Sequence, residues 1–185
     1  MYDVNFAIMN DFYEKARYQA DFGKDWKERE KIVKFIEQYR TAFMTRDMDL
    51  INKIFDDNAI IIIGKKIRTV NEPQKYSFTD NENIYEYIKL KKDEYLERQA
   101  KVFENQSDIL LEFSSLSILR KNNLEGVYGV SLRQNYNSTN YSDEGHLFLL
   151  VDFNSDEPKI YIRAWQPQEW DDEKIIKLSN FKVND

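Results

Sequence analysis

The chain contains no cysteine, and that absence alone removes thiol nucleophiles, disulfides and every thiolate metal site. It leaves the redox compartment open. With one histidine, His146, a histidine-rich zinc or copper site cannot be assembled within one subunit, although carboxylate sites for harder ions remain possible. The sequence has five glycines, and among them is no glycine-rich phosphate cradle and no Gly-x-Ser-x-Gly elbow. Common nucleotide-dependent and hydrolase chemistries are thereby disfavoured, and neither a metal nor a cofactor is expected. Long apolar runs are missing as well, since Ala59 to Ile63 falls far short of the roughly 20 residues that a membrane-crossing helix needs. No membrane span is expected.

Excess positive charge is also absent: 27 Lys and Arg face 33 Asp and Glu, for a net charge of -6. A protein that binds by neutralising phosphates needs a basic face. The richest basic stretch, Lys89, Lys91, Lys92, Arg98 and Lys101, is diluted by Glu86, Asp93, Glu94 and Glu97, which is the pattern of a solvated helix face. Nucleic acid is therefore not an expected partner. The first residues, Met1 to Phe6, lack the basic and apolar regions of an export signal. The expected compartment is cytoplasmic if this N-terminus is native, and exported or periplasmic if a leader has been removed.

What the chain does have is 42% apolar and 15% aromatic residues in a length of 185, which suits a single core. The expectation is one domain over 1–185, with a helical extension over 1–24 and the core over 25–185. Phe6, Met9, Tyr13 and Ala16 fall at helical spacing, and Asp25 with Glu28 has the form of a capping box. Ile32, Ile36, Tyr39 and Phe43 then form one buried stripe. Asp47 caps a short helix carrying Leu50, Ile51 and Ile54, stopped by Asp56-Asp57-Asn58. A strand over 59–63 and a short partner over 65–70 follow, then a loop over 71–81. Apolar residues at threes and fours predict a long helix over 82–104. Beyond Asn105 the period falls to two, predicting antiparallel strands over 109–119, 127–136, 146–153 and 160–165. Ile175, Ile176, Leu178, Phe181 and Val183 are expected to add an edge strand.

This order of elements resembles the nuclear transport factor two-like superfamily, a cone-shaped α+β fold, also cystatin-like, in which helices pack on a strongly curved, mainly antiparallel sheet of five to six strands. Two stretches carry the likeness. One is Phe43 to Gly64, where Ile54-Phe55-Asp56-Asp57-Asn58-Ala59-Ile60 leads from helix to strand. The other runs from Tyr128-Gly129-Val130-Ser131-Leu132-Arg133 through His146-Leu147-Phe148-Leu149-Leu150-Val151-Asp152-Phe153 to Arg163-Ala164-Trp165-Gln166-Pro167. That block is similar to a group of such domains from Bacteroidetes, commonly in exported proteins. The resemblance implies a fold more than an activity, because the superfamily hosts enzymes, ligand binders and adaptors.

Alternation places Val130, Leu132, Leu147, Leu149, Val151 and Phe153 on the core face of two long strands. The opposite face carries Ser131, Arg133, Asn135, His146, Phe148, Leu150 and Asp152, a mixture that suits a wet dimer surface or a pocket wall. Arg133, His146, Asp152 and Trp165 are the candidate ligand-binding residues. Asp152 beside Arg133 can act as a general base next to a cation, or form an ordinary cross-strand ion pair. In ketosteroid isomerases an aspartate base works with a tyrosine and a second acid, and Tyr39 with Asp56 or Asp57 lies in comparable elements; a helix stop explains those aspartates equally well. The catalytic candidates are thus Asp152, Asp57 and Tyr39. Tyr128, Tyr136, Tyr141, Tyr161, Trp165 and Trp170 can clamp a flat ligand or line an oligomer seam. The leading expectation is a noncatalytic domain that binds a small ligand or a protein partner in or around the cone, as a homodimer. The alternative is an isomerase or cyclase with a carboxylate base in the cone.

Overall fold

A computed structural model describes residues 26–67, 84–120, 124–168 and 174–181. Among the described residues two helices come first: α1 (Trp26–Met44) and α2 (Met48–Ile54). On α1 the stripe Ile32, Phe35, Ile36, Tyr39 and Phe43 is buried, as its spacing predicts. The helix ends in a paired turn in which Arg46 N–H donates to Phe43 O and Asp47 N–H to Ala42 O. Arg46 takes the left-handed position at φ 57°, where glycine is usual. Its guanidinium reaches back to the carbonyls of Phe103 and Gln106, closing the C-terminal end of a later helix. Asp47 caps α2 through a bond from Leu50 N–H. The expected capping residue Asp25, the first helical stretch and Trp170 lie outside the described residues.

Six strands form one sheet in the order β2-β1-β6-β5-β4-β3. They are β1 (Phe55–Ile67), β2 (Ile84–Lys91), β3 (Leu110–Arg120), β4 (Val127–Asn137), β5 (Ser142–Asp152) and β6 (Lys159–Pro167), with α3 (Lys92–Asn105) between β2 and β3. Among the described strands only the β1–β6 pair is parallel. β3, β4 and β6 lie within about two residues of their expected bounds, whereas β5 begins at Ser142 rather than at the expected 146, so that Asp143 belongs to the strand and not to the turn before it.

Several expectations are corrected. The helix over 82–104 begins only at Lys92, and Ile84–Lys91 is instead an edge strand that sets Ile88 and Leu90 opposite Ile63 and Ile61. The spacing of Ile84, Ile88 and Leu90 satisfies both periods, and the unpaired edge of the isoleucine-rich β1 decides for pairing. The partner expected over 65–70 is absent as a separate strand through Ile67, because β1 runs unbroken to that residue. Asp56, Asp57 and Asn58 accordingly sit inside β1 rather than in a helix stop. The tail also differs. Among its described residues, Leu178–Asn180 is a 3₁₀ turn lying on the sheet, not an edge strand.

The helices pack on one face of the sheet, here the inner face, with Val130, Leu132, Leu147, Leu149, Val151 and Phe153 buried against them. A bulge keeps β3 in step. Between Ser114 and Ser117 one extra residue is inserted, Ser115 adopts φ 54°, and the inward parity passes from Leu111 and Phe113 to Leu116 and Ile118. The outer face carries a second cluster in which Ile176, Leu178 and Phe181 of the tail cover Phe148, Ala164 and Ile162. Buried Gln166 anchors that tail: its side chain donates to Lys174 O and Tyr87 Oη and accepts from Ile176 N–H.

Candidate functional site

Where α3 leaves the sheet, the inner face opens into a cavity of about 320 Å³. Its apolar wall includes Phe43 of α1, Ile63 of β1, Val102 of α3 and Leu111 of β3. The mouth is framed by Gln106, Tyr136 and Tyr141. Tyr136 Oη donates to Gln106 Oε1 at 2.6 Å, and Tyr136 meets Tyr141 edge to face at 6.0 Å. The β4–β5 turn is tied to the end of α3, with Thr139 N–H and Oγ1 donating to Ser107 O and Asn140 Nδ2 to Asn105 O. These bonds fix the mouth to the two elements that flank it.

Polar groups project into this mostly apolar space from strand positions that share the inward parity. Arg163 of β6, 8% exposed, lies between Ile61 of β1 and Leu149 of β5 in the ladder. Its Nε donates to Tyr39 Oη at 3.0 Å, and its guanidinium carbon stands 5.3 Å from the centre of the Tyr95 ring. Burial works against the Arg163 charge, whereas Tyr39, Tyr95 and Asp143 work for it, and the guanidinium stays protonated. Asp143 of β5 accepts from Tyr141 Oη at 2.8 Å through one carboxylate oxygen. Burial raises the pKa of Asp143, and neither the Tyr141 bond nor the Arg163 charge brings it back to the ordinary value. Burial likewise raises Tyr136, to about 12, and raises Tyr95 and Tyr141, so these three hydroxyls are neutral at physiological pH.

Among the described residues, three buried polar atoms have no hydrogen-bond partner: Tyr95 Oη, Asp143 Oδ1 and Trp165 Nε1. All three belong to residues that line the cavity. Leaving a buried donor or acceptor unpaired costs about 1–3 kcal/mol, so such groups cluster where something else is meant to meet them. Trp165 takes its place because Gly145, its neighbour on β5, has no side chain. A Cβ at Gly145 would stand 2.3 Å from Gln166 O and 2.9 Å from the indole.

The candidates read from the sequence separate into three places. Tyr39 and Trp165 line the cavity. Arg133 and His146 are cross-strand partners on the outer face, where Arg133 Nη1 donates to His146 Nε2 at 3.0 Å. Asp152 does not join them, and the expected pairing with Arg133 is corrected: Asp152 stands opposite Val127, while Arg133 stands opposite His146, roughly 20 Å away along the strand. Its carboxylate accepts from Asn154 N–H and shapes the β5–β6 turn. Asp57 is exposed at the start of β1 and accepts from Lys92 Nζ at 2.7 Å, which lowers its pKa. That buried lysine also donates to Phe55 O. Of the other aromatics, Tyr136 and Tyr141 reach the cavity, Tyr128 packs on Phe153, and Tyr161 is exposed.

Arg163, Asp143, Tyr95 and Gln134 did not stand out in the sequence. The signal was parity: Gln134 continues the inward series of Val130 and Leu132, Asp143 that of Leu147 and Leu149, and Arg163 that of Trp165. Among the described residues no group of three or more acidic or histidine side chains is placed to hold a metal ion, and no helix is long and apolar enough to cross a membrane.

No family model and no curated protein matches the sequence. Solved structures do match its shape. Bd1075 of Bdellovibrio bacteriovorus aligns at a TM-score of 0.56 and 17% identity over 76% of this chain, which spans 41% of that one. An NTF2-like protein of unknown function from Pseudomonas putida aligns at 0.54 and 12% identity, covering 83% of this chain and 95% of its own. A chain of a naphthalene 1,2-dioxygenase with indole in its active site aligns at 0.53 and 8% identity, covering 76% and 78% respectively. At such identities the likeness is one of fold, and that fold serves enzymes as well as proteins of unassigned role.

Proposed function

For a chain that has the nuclear transport factor two-like fold, we propose a noncatalytic role: binding a small amphipathic organic ligand in the inner cavity. One observation carries the reading. A largely apolar cavity holds a buried cation, Arg163, together with three polar atoms that nothing among the described residues satisfies. Convergent polar groups in an apolar concavity are the ordinary composition of a ligand site. The test is an NMR screen of small acids, amines and alcohols against isotope-labelled protein. Binders are expected to shift the amides of Gln134, Tyr136, Asp143 and Arg163 and the indole N–H of Trp165. Shifts confined to Ser131, Arg133 and His146 would place the ligand on the outer face and contradict the reading.

A second reading is favoured by Asp143, whose carboxyl is held above its ordinary pKa by burial. Such a group in a partly dry cavity is suited to take a proton from a carbon acid, with Arg163 stabilising the resulting oxyanion. It would replace Asp152 and Asp57, which lie outside the cavity, as the carboxylate base of an isomerase or cyclase. Deuterium exchange at a bound ligand's acidic carbon, lost in Asp143→Asn, would move the assignment from binding to catalysis.

The homodimer belongs to the same proposal. It would use the part of the outer face around Ser131, Arg133, Asn135 and His146, where polar and apolar groups are mixed. Sedimentation at micromolar concentration reads the state directly, and a monomer removes this part alone.

A further inference from the structure

We propose, building on the ligand-binding reading of the inner cavity, that its ligand is a small zwitterion of the amino acid class, with its carboxylate on Arg163 and Trp165 Nε1 and its ammonium on Asp143 Oδ1. The inventory of open groups is two-sided. On one side stand donors: the indole N–H of Trp165, without a partner, and the terminal nitrogens of Arg163, which make no hydrogen bond among the described residues. Neighbouring donors of this kind, one of them a planar cation, fit a carboxylate. On the other side stands an acceptor. Asp143 has one oxygen engaged by Tyr141 and the other buried and unpartnered, which fits an ammonium or hydroxyl donor.

The two charges feel each other but form no ion pair among the described residues. A buried cation and a half-buried carboxylate held apart each keep a desolvation cost that their mutual attraction does not offset. A ligand that carries the opposite pair of charges offsets both at once. A simple acid leaves Asp143 unsatisfied, and a simple amine leaves Arg163 and Trp165 so. Between the charged ends, Phe43, Val102 and Leu111 offer an apolar wall for a side chain, and the Tyr95 ring lies beneath the guanidinium.

The test uses four phenyl compounds on the whole chain by titration calorimetry: phenylalanine, taken in both hands, 3-phenylpropionate, phenethylamine and the shorter, uncharged benzyl alcohol. Hydrogen bonds to charged groups contribute about 1.5–3 kcal/mol, so phenylalanine of one hand is expected to bind about tenfold to a hundredfold more tightly than either singly charged probe. Asp143→Asn should erase the advantage over 3-phenylpropionate. Trp165→Phe, which removes only the N–H and keeps a ring, should narrow the advantage over phenethylamine. Arg163→Lys keeps the charge and loses the fork, and is expected to weaken phenylalanine and phenylpropionate alike. If phenylpropionate binds as tightly as phenylalanine, or Asp143→Asn changes nothing, the zwitterion is overturned while the cavity remains a ligand site. If none of the four binds yet the NMR screen finds other cavity ligands, the amino acid class alone falls. If no compound enters the cavity, both fall.

Discussion

Arg163 Nε donates to Tyr39 Oη at 3.0 Å across 124 positions of the chain, joining the first described helix to a central strand at the floor of the cavity. Tyr39 is the acceptor that makes a buried guanidinium tolerable there, while its ring meets that of Phe43 at 4.6 Å with the planes tilted by 35°. Tyr39→Phe keeps the ring and removes the acceptor. Urea denaturation at unchanged m-value is expected to show a loss of about 1–3 kcal/mol. A midpoint equal to that of the parent protein would show that Arg163 does not need this partner.

Asp143 gives a pH signature. Its pKa is higher in the folded chain than the ordinary 3.8, so the folded state holds the proton more tightly than the unfolded one. The contribution of this group to stability is full below the ordinary value and is lost as pH rises through the folded pKa. Asp143→Asn, which can still accept from Tyr141, removes that dependence. Thermal melts from pH 3 to pH 7 are expected to put the variant increasingly above the parent protein as pH rises, with the two converging in acid. A gap that widens toward acid would contradict the assigned sign.

Gln166 is buried to 1% exposure and bonds the tail in both directions. Gln166→Leu leaves Ile176 N–H without its acceptor and is expected to cost about 1–3 kcal/mol. Hydrogen exchange separates this from a general weakening: protection should be lost first over residues 174–181, while β3 and β4 keep theirs.

Lys92 and Asp57 form an unequal pair. The lysine side chain is 8% exposed and the aspartate side chain 95%. Lys92→Met leaves Phe55 O without its donor and is expected to lower stability by about 1–3 kcal/mol. Asp57→Asn should change stability far less and leave ligand binding intact, because the carboxylate is in solvent and outside the cavity. Loss of ligand binding in Asp57→Asn would return that residue to the functional list.

How much of this was legible depended on whether one period or two fitted a segment. From residue 109 to 167 the alternation yields the strands and the inner face, but it records neither the early start of β5 nor the bulge between Ser114 and Ser117, where the inward parity changes. Between 84 and 91 both periods fit, and the outcome is set by a distant strand edge that no local pattern records. The tail was read as a strand from its apolar residues, yet those residues serve to cover Phe148 and Ala164 on the outer face. Tyr39 was named through the resemblance to ketosteroid isomerases and Trp165 through the aromatic residues near the strand ends, and both line the cavity. Asp143 and Arg163 were not, since a charged residue on an inward position reads as a fault in the pattern until the cavity that receives it is known. The pairing of Asp152 with Arg133 failed for a geometric reason: a shared face says nothing of distance along it.

The most direct test of the central claim is a crystal structure of the complex with the tightest ligand from the NMR screen. The account predicts density in the inner cavity, with an acidic group of the ligand within hydrogen-bond reach of Arg163 and of Trp165 Nε1. The same ligand seated on the outer face, or an inner cavity closed by the rings of Tyr136 and Tyr141 with no room for it, would contradict it.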